Sequence, residues 1–200
     1  MYRLRELERK DLTVINGWRN NPELIASLGA PFRFINLEVD QKWFDSYMQN
    51  RNTNVRCAIV EENDDILGLV SLTGIDYMNQ SAHFHIMIGE TNNQGKGIGT
   101  FAVNTMLCHA FYNMNLNRIE LGVLADNVRA KHVYEKIGFI KEGVKRSAVY
   151  KNGKFVDILM YSIMKSEFSG GGYKKISDAL TYFTIFRWNF NAKADISSVA

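Results

Sequence analysis

The chain has little cysteine, little excess charge and no long apolar run. Only Cys57 and Cys108 occur in its 200 residues. Two thiols exclude a disulfide framework and a four-thiolate zinc site. They are expected to be reduced core thiols rather than one bridge. No apolar stretch approaches the roughly 20 residues that span a bilayer, so no membrane segment is expected. The opening MYRLRELERKD is charged, with no hydrophobic segment behind it. That reads as a cytoplasmic protein without a signal peptide. Lys plus Arg number 24 against 21 for Asp plus Glu, leaving +3. This is too mild to imply a nucleic-acid or charged-membrane partner.

What remains is an ordinary globular composition, 46% hydrophobic and 22% charged, able to bury a core. The length suits one medium domain with a short appendage. Residue alternation predicts strands over 2–7, 56–60, 66–72, 82–88, 118–124, 139–149 and 155–164. Helical spacing predicts a first helix carrying Leu12, Ile15 and Trp18, and a second over 37–48. A third is expected over 99–114, and a short fourth carries Ala130, Val133, Tyr134 and Ile137. Asp11 is expected to cap the first helix and Asp126 or Asn127 the last, with Gly138 closing it. Pro22 and Gly29-Ala30-Pro31 read as punctuation, and Asn152-Gly153 as a hairpin turn. The order β-αα-βββ-α-β-α-ββ implies a mixed α/β sheet.

The character of the chain changes at Ser169-Gly170-Gly171-Gly172. The expected organisation is a domain over 1–168, a Gly-rich linker over 169–172 and an aromatic-rich extension over 173–200. The extension carries Tyr182, Phe183, Phe186, Trp188 and Phe190. It is open whether it covers the domain, pairs with a second copy in a homodimer, or stands apart.

Gln94-Gly95-Lys96-Gly97-Ile98-Gly99 joins a strand to a helix. Glycines permit a tight turn and leave no Cβ between the amides and a ligand. The helix start adds unpaired N–H groups and a positive dipole, so the turn suits a phosphate or pyrophosphate. A plain tight turn is the simpler alternative. Thr100 follows glycine rather than lysine, which argues against a nucleotide-hydrolysing P-loop, and the dinucleotide pattern GxGxxG fails at the same residue.

Gln94, Gly97 and Gly99 instead form Q-x-x-G-x-G, which resembles the pyrophosphate loop of the GCN5-related N-acetyltransferases (GNAT). A second segment, Asn127-Val128-Arg129-Ala130-Lys131-His132-Val133-Tyr134-Glu135-Lys136-Ile137-Gly138-Phe139, is similar to that family's N-x-R-A-x-x-x-Y-x-K-x-G-F. Trp18-Arg19-Asn20 resembles the subgroup that holds ribosomal-protein N-terminal and polyamine acetyltransferases. The resemblance covers roughly residues 2–165. It implies a mostly antiparallel sheet flanked by helices, with acetyl-CoA in a V between splayed fourth and fifth strands. The pantetheine arm would run along the backbone of Ile86, Met87 and Ile88. The pyrophosphate would sit on Gln94, Gly95, Lys96, Gly97, Ile98 and Gly99. Asn127 and Arg129 would contribute to the cofactor side, and no metal is implied.

The implied reaction is direct attack of a neutral amine on the thioester in a ternary complex, with no acetyl-enzyme. By itself Tyr134 reads as a core tyrosine, since it shares an apolar helix face with Val133 and Ile137. Within the family segment it is the expected proton donor to the leaving thiolate. The base is not fixed by the pattern: His85, Glu90 and Glu120 are candidates, as is a water chain. His83-x-His85 without a third ligand motif is weak for a metal, and neither cysteine sits where a nucleophile is activated. The acceptor slot implied by the fold takes in Trp18, Arg19, Phe32, Arg33, Phe34, Trp43, Phe44, Tyr47, Tyr150 and Tyr161. A small-molecule amine, such as a polyamine or amino sugar, is the first expectation for the acceptor, and a protein N-terminus the second. A non-catalytic CoA-binding or interaction module is the alternative from another class.

Overall fold

A computed structural model describes residues 1–93 and 95–170. Gln94, the second half of the expected linker and the whole aromatic extension lie outside the described residues. The strands are β1 (Arg3–Glu6), β2 (Val55–Val60), β3 (Ile66–Asp76), β4 (Ser81–Ile88), β5 (Arg118–Leu124), β6 (Ile140–Lys151) and β7 (Lys154–Met164). They form one sheet in the order β1-β2-β3-β4-β5-β7-β6. Only the β4–β5 pair is parallel. The helices are α1 (Leu12–Arg19), α2 (Pro22–Ala26), α3 (Leu37–Gln49), α4 (Ile98–Cys108) and α5 (Val128–Ile137). The architecture is the mixed α/β sheet that the order of elements implies, and it is mostly antiparallel, as the resemblance implies. No described helix is long and apolar enough to cross a membrane.

Successive residues of a strand point to opposite faces, and the sheet is apolar on both. On one face Val70, Leu72, Phe84 and Ile119 share a buried cluster with Val103, Met106, Leu107 and Phe111 behind α4, and with Tyr134 and Ile137 of α5. On the other, Leu69 and Met87 pack with Leu12, Ile15, Trp18, Leu24 and Phe44 of α1, α2 and α3. Each large side chain buried this way stabilises the fold by roughly 1.5–3 kcal/mol. The chain remains in this core to Phe168, whose ring lies 5.5 Å from Phe111.

Three local expectations change. Pro22 does not merely break the chain: it is the first residue of α2, and the Asn21 side chain accepts from the amides of Glu23 and Leu24. A missing N–H matters little at that position. Asp11 makes no side-chain cap. Its buried carboxylate instead takes both terminal nitrogens of Arg5 at 2.8 Å and the Glu8 amide at 2.9 Å. The third expected helix stops at Cys108 and continues as a wider turn over His109–Asn113, closed by the Met114 amide on the His109 carbonyl at 3.1 Å. Gly138 closes α5 at φ 113° as expected.

Gly89, just past β4, fixes where that strand ends. A Cβ built there would lie 1.9 Å from the Trp18 indole. Gly89→Ala is expected to lose about 1–3 kcal/mol by overpacking, or about 2–12 °C in melting temperature. A thermal melt within a degree of the parent would show that Trp18 yields freely.

Candidate active site

β4 and β5 pair only at Ser81–Arg118, Ala82–Ile119 and His83–Glu120. Beyond those residues β4 stays on β3 as far as Ile88, and β5 stays on β7 as far as Leu124. Each half of the sheet twists with its own antiparallel partner, and the parallel seam opens into a V. Among the described residues, the edge of residues 84–88 that faces β5 therefore has no strand to receive its backbone groups, although such groups in a sheet interior require partners. Ile86, Met87 and Ile88 are only half-buried in mid-sheet for the same reason. An extended chain with amide groups fits such an edge by strand addition.

The V opens onto the glycine turn. Gly95 and Gly97 take φ of +85° and +81°, a left-handed conformation that other residues adopt only under strain. Gly97 is the residue preceding α4 and offers no side-chain cap. Among the described residues, Cβ atoms built at Gly95, Gly97 and Gly99 meet nothing within 4 Å, so protein does not fill the space beside them. Ile98 anchors the first turn of α4 in the core at 1% exposure, while Lys96 is exposed and reaches Asn93 at 3.4 Å. Open amides, a helix start and a nearby cation suit a pyrophosphate. Gln94 lies outside the described residues.

Tyr134 sits on the inner face of α5, 8% exposed. Its ring meets Phe139 edge-on at 5.6 Å. Among the described residues its hydroxyl has no hydrogen-bond partner, and burial pushes its pKa up to about 12. Asn127 caps α5 through the Ala130 amide at 3.1 Å. Its Nδ2 donates to the Ser27 carbonyl at 3.0 Å. Arg129 is exposed on the first turn of the same helix.

His83 and His85 point to the face that carries α1–α3, as their alternation requires, and each has its own partner. His83 Nδ1 is 2.9 Å from a Glu120 oxygen, while His85 Nε2 is 2.9 Å from the Thr73 hydroxyl. The His85 ring touches solvent, yet the protein crowding it, then Arg56 and His83, holds its pKa below the ordinary value. It is a neutral imidazole near pH 7, able to accept a proton. Glu120 marks the apex of the V, and Glu90 is exposed at its mouth, one residue beyond Gly89. Among the described residues no group of three ligating side chains forms a metal site. Burial pushes Cys57 and Cys108 up to about 12 and 11, so both thiols stay protonated.

The expected acceptor residues divide. Phe32 and Phe34 stand in the connection from α2 to α3 and meet each other. Trp43 and Arg19 lie on the His85 side, with the Arg19 guanidinium 5.8 Å over the Trp43 ring. Tyr161 does not join them. It pairs with Leu121 on the opposite face, 2% exposed, and its hydroxyl donates to Glu135 at 2.7 Å. Phe44 is core, and Tyr47 donates to Glu6 at 2.7 Å. Three residues outside the expected acceptor slot shape this side. Arg56 lies 4.9 Å over the Trp43 ring, and its Nε has no hydrogen-bond partner among the described residues. Asp40, fully buried, takes Arg19 and the Asn16 amide. Lys151 is buried against loop carbonyls. Arg56 and Asp40 are legible in the sequence as charges of the acceptor half; Lys151 carries no such signal, because its partners lie more than a hundred residues away. A separate cavity of about 540 Å³ lies between α4 and the β1–β2 edge, lined by Leu4, Cys57, Met106 and His109 but by none of the V residues.

Comparison with known proteins gives a consistent match. A family profile described as "Acetyltransferase (GNAT) domain" matches residues 2–140. The spermidine N(1)-acetyltransferase of Vibrio cholerae is 32% identical over 167 residues, 82% of this chain and 94% of that protein. A putative ribosomal N-acetyltransferase of Bacillus subtilis is 34% identical over 105 residues, 52% of this chain and 57% of that one. Among solved structures, the spermidine N-acetyltransferase of Vibrio cholerae in complex with CoA and spermine superposes with a TM-score of 0.78. It is 30% identical and covers 83% of this chain and 96% of its own.

Proposed function

The chain belongs to the GNAT acetyltransferase family and is an acetyl-CoA-dependent N-acetyltransferase, and on that footing we propose that it acetylates a primary amine of a polyamine. The observation that carries the donor side is the parting of β4 from β5 directly above an open glycine turn. The backbone of Ile86, Met87 and Ile88 holds the pantetheine arm. Gln94 to Gly99 hold the pyrophosphate, and Arg129 contributes to the cofactor side. When bound, acetyl-CoA supplies the thioester carbonyl at which the acceptor nitrogen attacks.

The chain's own residues then manage two protons. An alkylamine of pKa about 10.4 is mostly protonated at pH 7, so one proton must leave before or during attack. His85, held neutral and facing the acceptor side, takes it directly or through one water. Glu90 at the mouth of the V is the second candidate. As the carbon–nitrogen bond forms and the carbon–sulfur bond breaks, the buried Tyr134 hydroxyl donates to the departing sulfur. A polyamine acceptor is supported by the spermidine acetyltransferase relatives and by Glu90, the exposed carboxylate at the mouth of the V.

The test is release of CoA thiol with a panel of amines. Spermidine and spermine are expected to exceed amino sugars and N-terminal peptides in kcat/KM by at least about tenfold, the scale of one satisfied charge contact. A peptide N-terminus at the top of the panel would replace the polyamine reading with the ribosomal one. His85→Gln is expected to lower kcat about 10²-fold. It should also remove an acid limb lying below pH about 6.5, because neutral His85 is the active form and is lost as pH falls. An unchanged limb would transfer the role to Glu90.

A further inference from the structure

The connection from α2 to α3 is held from three distant parts of the chain. Lys151, the last residue of β6, is only 8% exposed. Its ammonium has no carboxylate partner among the described residues. It donates instead to the Ile25 carbonyl at 2.7 Å and to the Ala30 carbonyl. Asn127 donates to the Ser27 carbonyl, which lies between those two, at 3.0 Å. At the far end of the connection, Asn20 Nδ2 donates to the Ile35 carbonyl at 2.6 Å and Asn20 Oδ1 accepts from the Ile35 amide at 2.9 Å. Between these fixed shoulders, Phe32 and Phe34 stand with their rings 5.2 Å apart, and Phe34 is 91% exposed.

A buried ammonium without a counter-charge is costly, and its ordinary justification is a set of strong hydrogen bonds. Here those bonds go to the C-terminal carbonyls of α2 and the loop behind it, where the helix dipole also favours a cation. The loop lies at the mouth of the V: a Cβ on Gly29 would sit 3.8 Å from Ile158, which pairs with Leu124 at the open end of β5. We propose that Lys151 is a positioning residue for the acceptor: with Asn127 it locks residues 25–30 onto the β6–β7 hairpin and the β5–α5 turn. This places the Phe32–Phe34 tip as one wall of the amine slot. Because Asn127 also caps the helix that carries Tyr134, the same contact ties the acceptor wall to the proton donor.

The amine part of this inference rests on the polyamine reading; the locking part does not. Lys151→Met keeps most of the stem and removes the donors, and Lys151→Arg restores donors. In Lys151→Met, hydrogen–deuterium exchange is expected to rise over residues 26–34 alone. The KM for spermidine should rise about tenfold or more, the scale of losing one or two charge-assisted hydrogen bonds. The KM for acetyl-CoA should stay within about twofold, and Lys151→Arg should recover part of the loss. Exchange that rises throughout the domain, or both KM values moving together, would overturn the assignment and leave Lys151 as general scaffolding. If Lys151→Met does not fold, Lys151→Gln, with a shorter donor, reads the same split. Wild-type protein that does not acetylate spermidine refutes the polyamine reading instead, and the exchange pattern then decides the locking role alone.

Discussion

Tyr134→Phe should lower kcat by about 10²–10⁴-fold, the usual worth of a positioned proton donor, while the KM for acetyl-CoA stays put. Phenylalanine keeps the edge-on contact with Phe139 and the buried ring. Since the hydroxyl has no partner among the described residues, its removal orphans no other group, and the melting temperature should barely move. The two roles of this tyrosine, packing and chemistry, are thereby separated. Its pKa, pushed up to about 12 by burial, bears on how it acts. Full proton transfer to a thiolate of pKa about 8.5 would be uphill by about 5 kcal/mol. The hydroxyl therefore acts by hydrogen bonding to the sulfur as charge develops, and CoA leaves as the thiolate. The active form is the protonated one, lost only as pH rises through about 12. The kcat profile should accordingly show no alkaline fall from this group below pH about 11. A thioester with a more acidic thiol should suffer a smaller Tyr134→Phe loss. Full turnover by Tyr134→Phe with acetyl-CoA would leave Tyr134 as a core residue and a water as the donor.

Gly99→Val should weaken CoA binding by about 10–100-fold, the equivalent of losing one charge-assisted contact to the pyrophosphate, with the fold intact. Position 99 is the better probe of the turn. Its backbone is not left-handed, and among the described residues a Cβ there meets nothing within 4 Å, so valine is free to enter the first turn of α4 without strain. Gly97, at φ +81°, would add about 1–3 kcal/mol of backbone strain and blur the reading. Calorimetric titration with CoA decides it. Unchanged affinity in a well-folded Gly99→Val would move the pyrophosphate off this turn.

The order of the elements was legible because long apolar periods of 2 and 3.6 persist through this chain. The residues that resisted are those whose fate is set by another element or by too short a run. Five-residue α2 is too short to show a period, and Pro22 signals a break and a helix start equally well. Asp11 stands where a cap should be, but Arg5 of β1 claims its carboxylate. Tyr161 belongs by strand parity to the apolar face, which only its register with Leu121 reveals. In the site, the glycine turn and the Tyr134 segment were legible because backbone geometry imposes local spacing. The acceptor side was not, because its contacts, such as Lys151 to Ile25 and Asn127 to Ser27, join residues more than a hundred apart or nearly so.

The most direct test of the account is a quenched single-turnover reaction of the purified chain with acetyl-CoA and spermidine, analysed by mass for both protein and small molecules. The expected result is spermidine heavier by one acetyl group, formed in step with free CoA, with the protein's own mass unchanged at every time point. A protein that gains an acetyl group before any acetylated amine appears, or CoA release without acetylated spermidine, would contradict it.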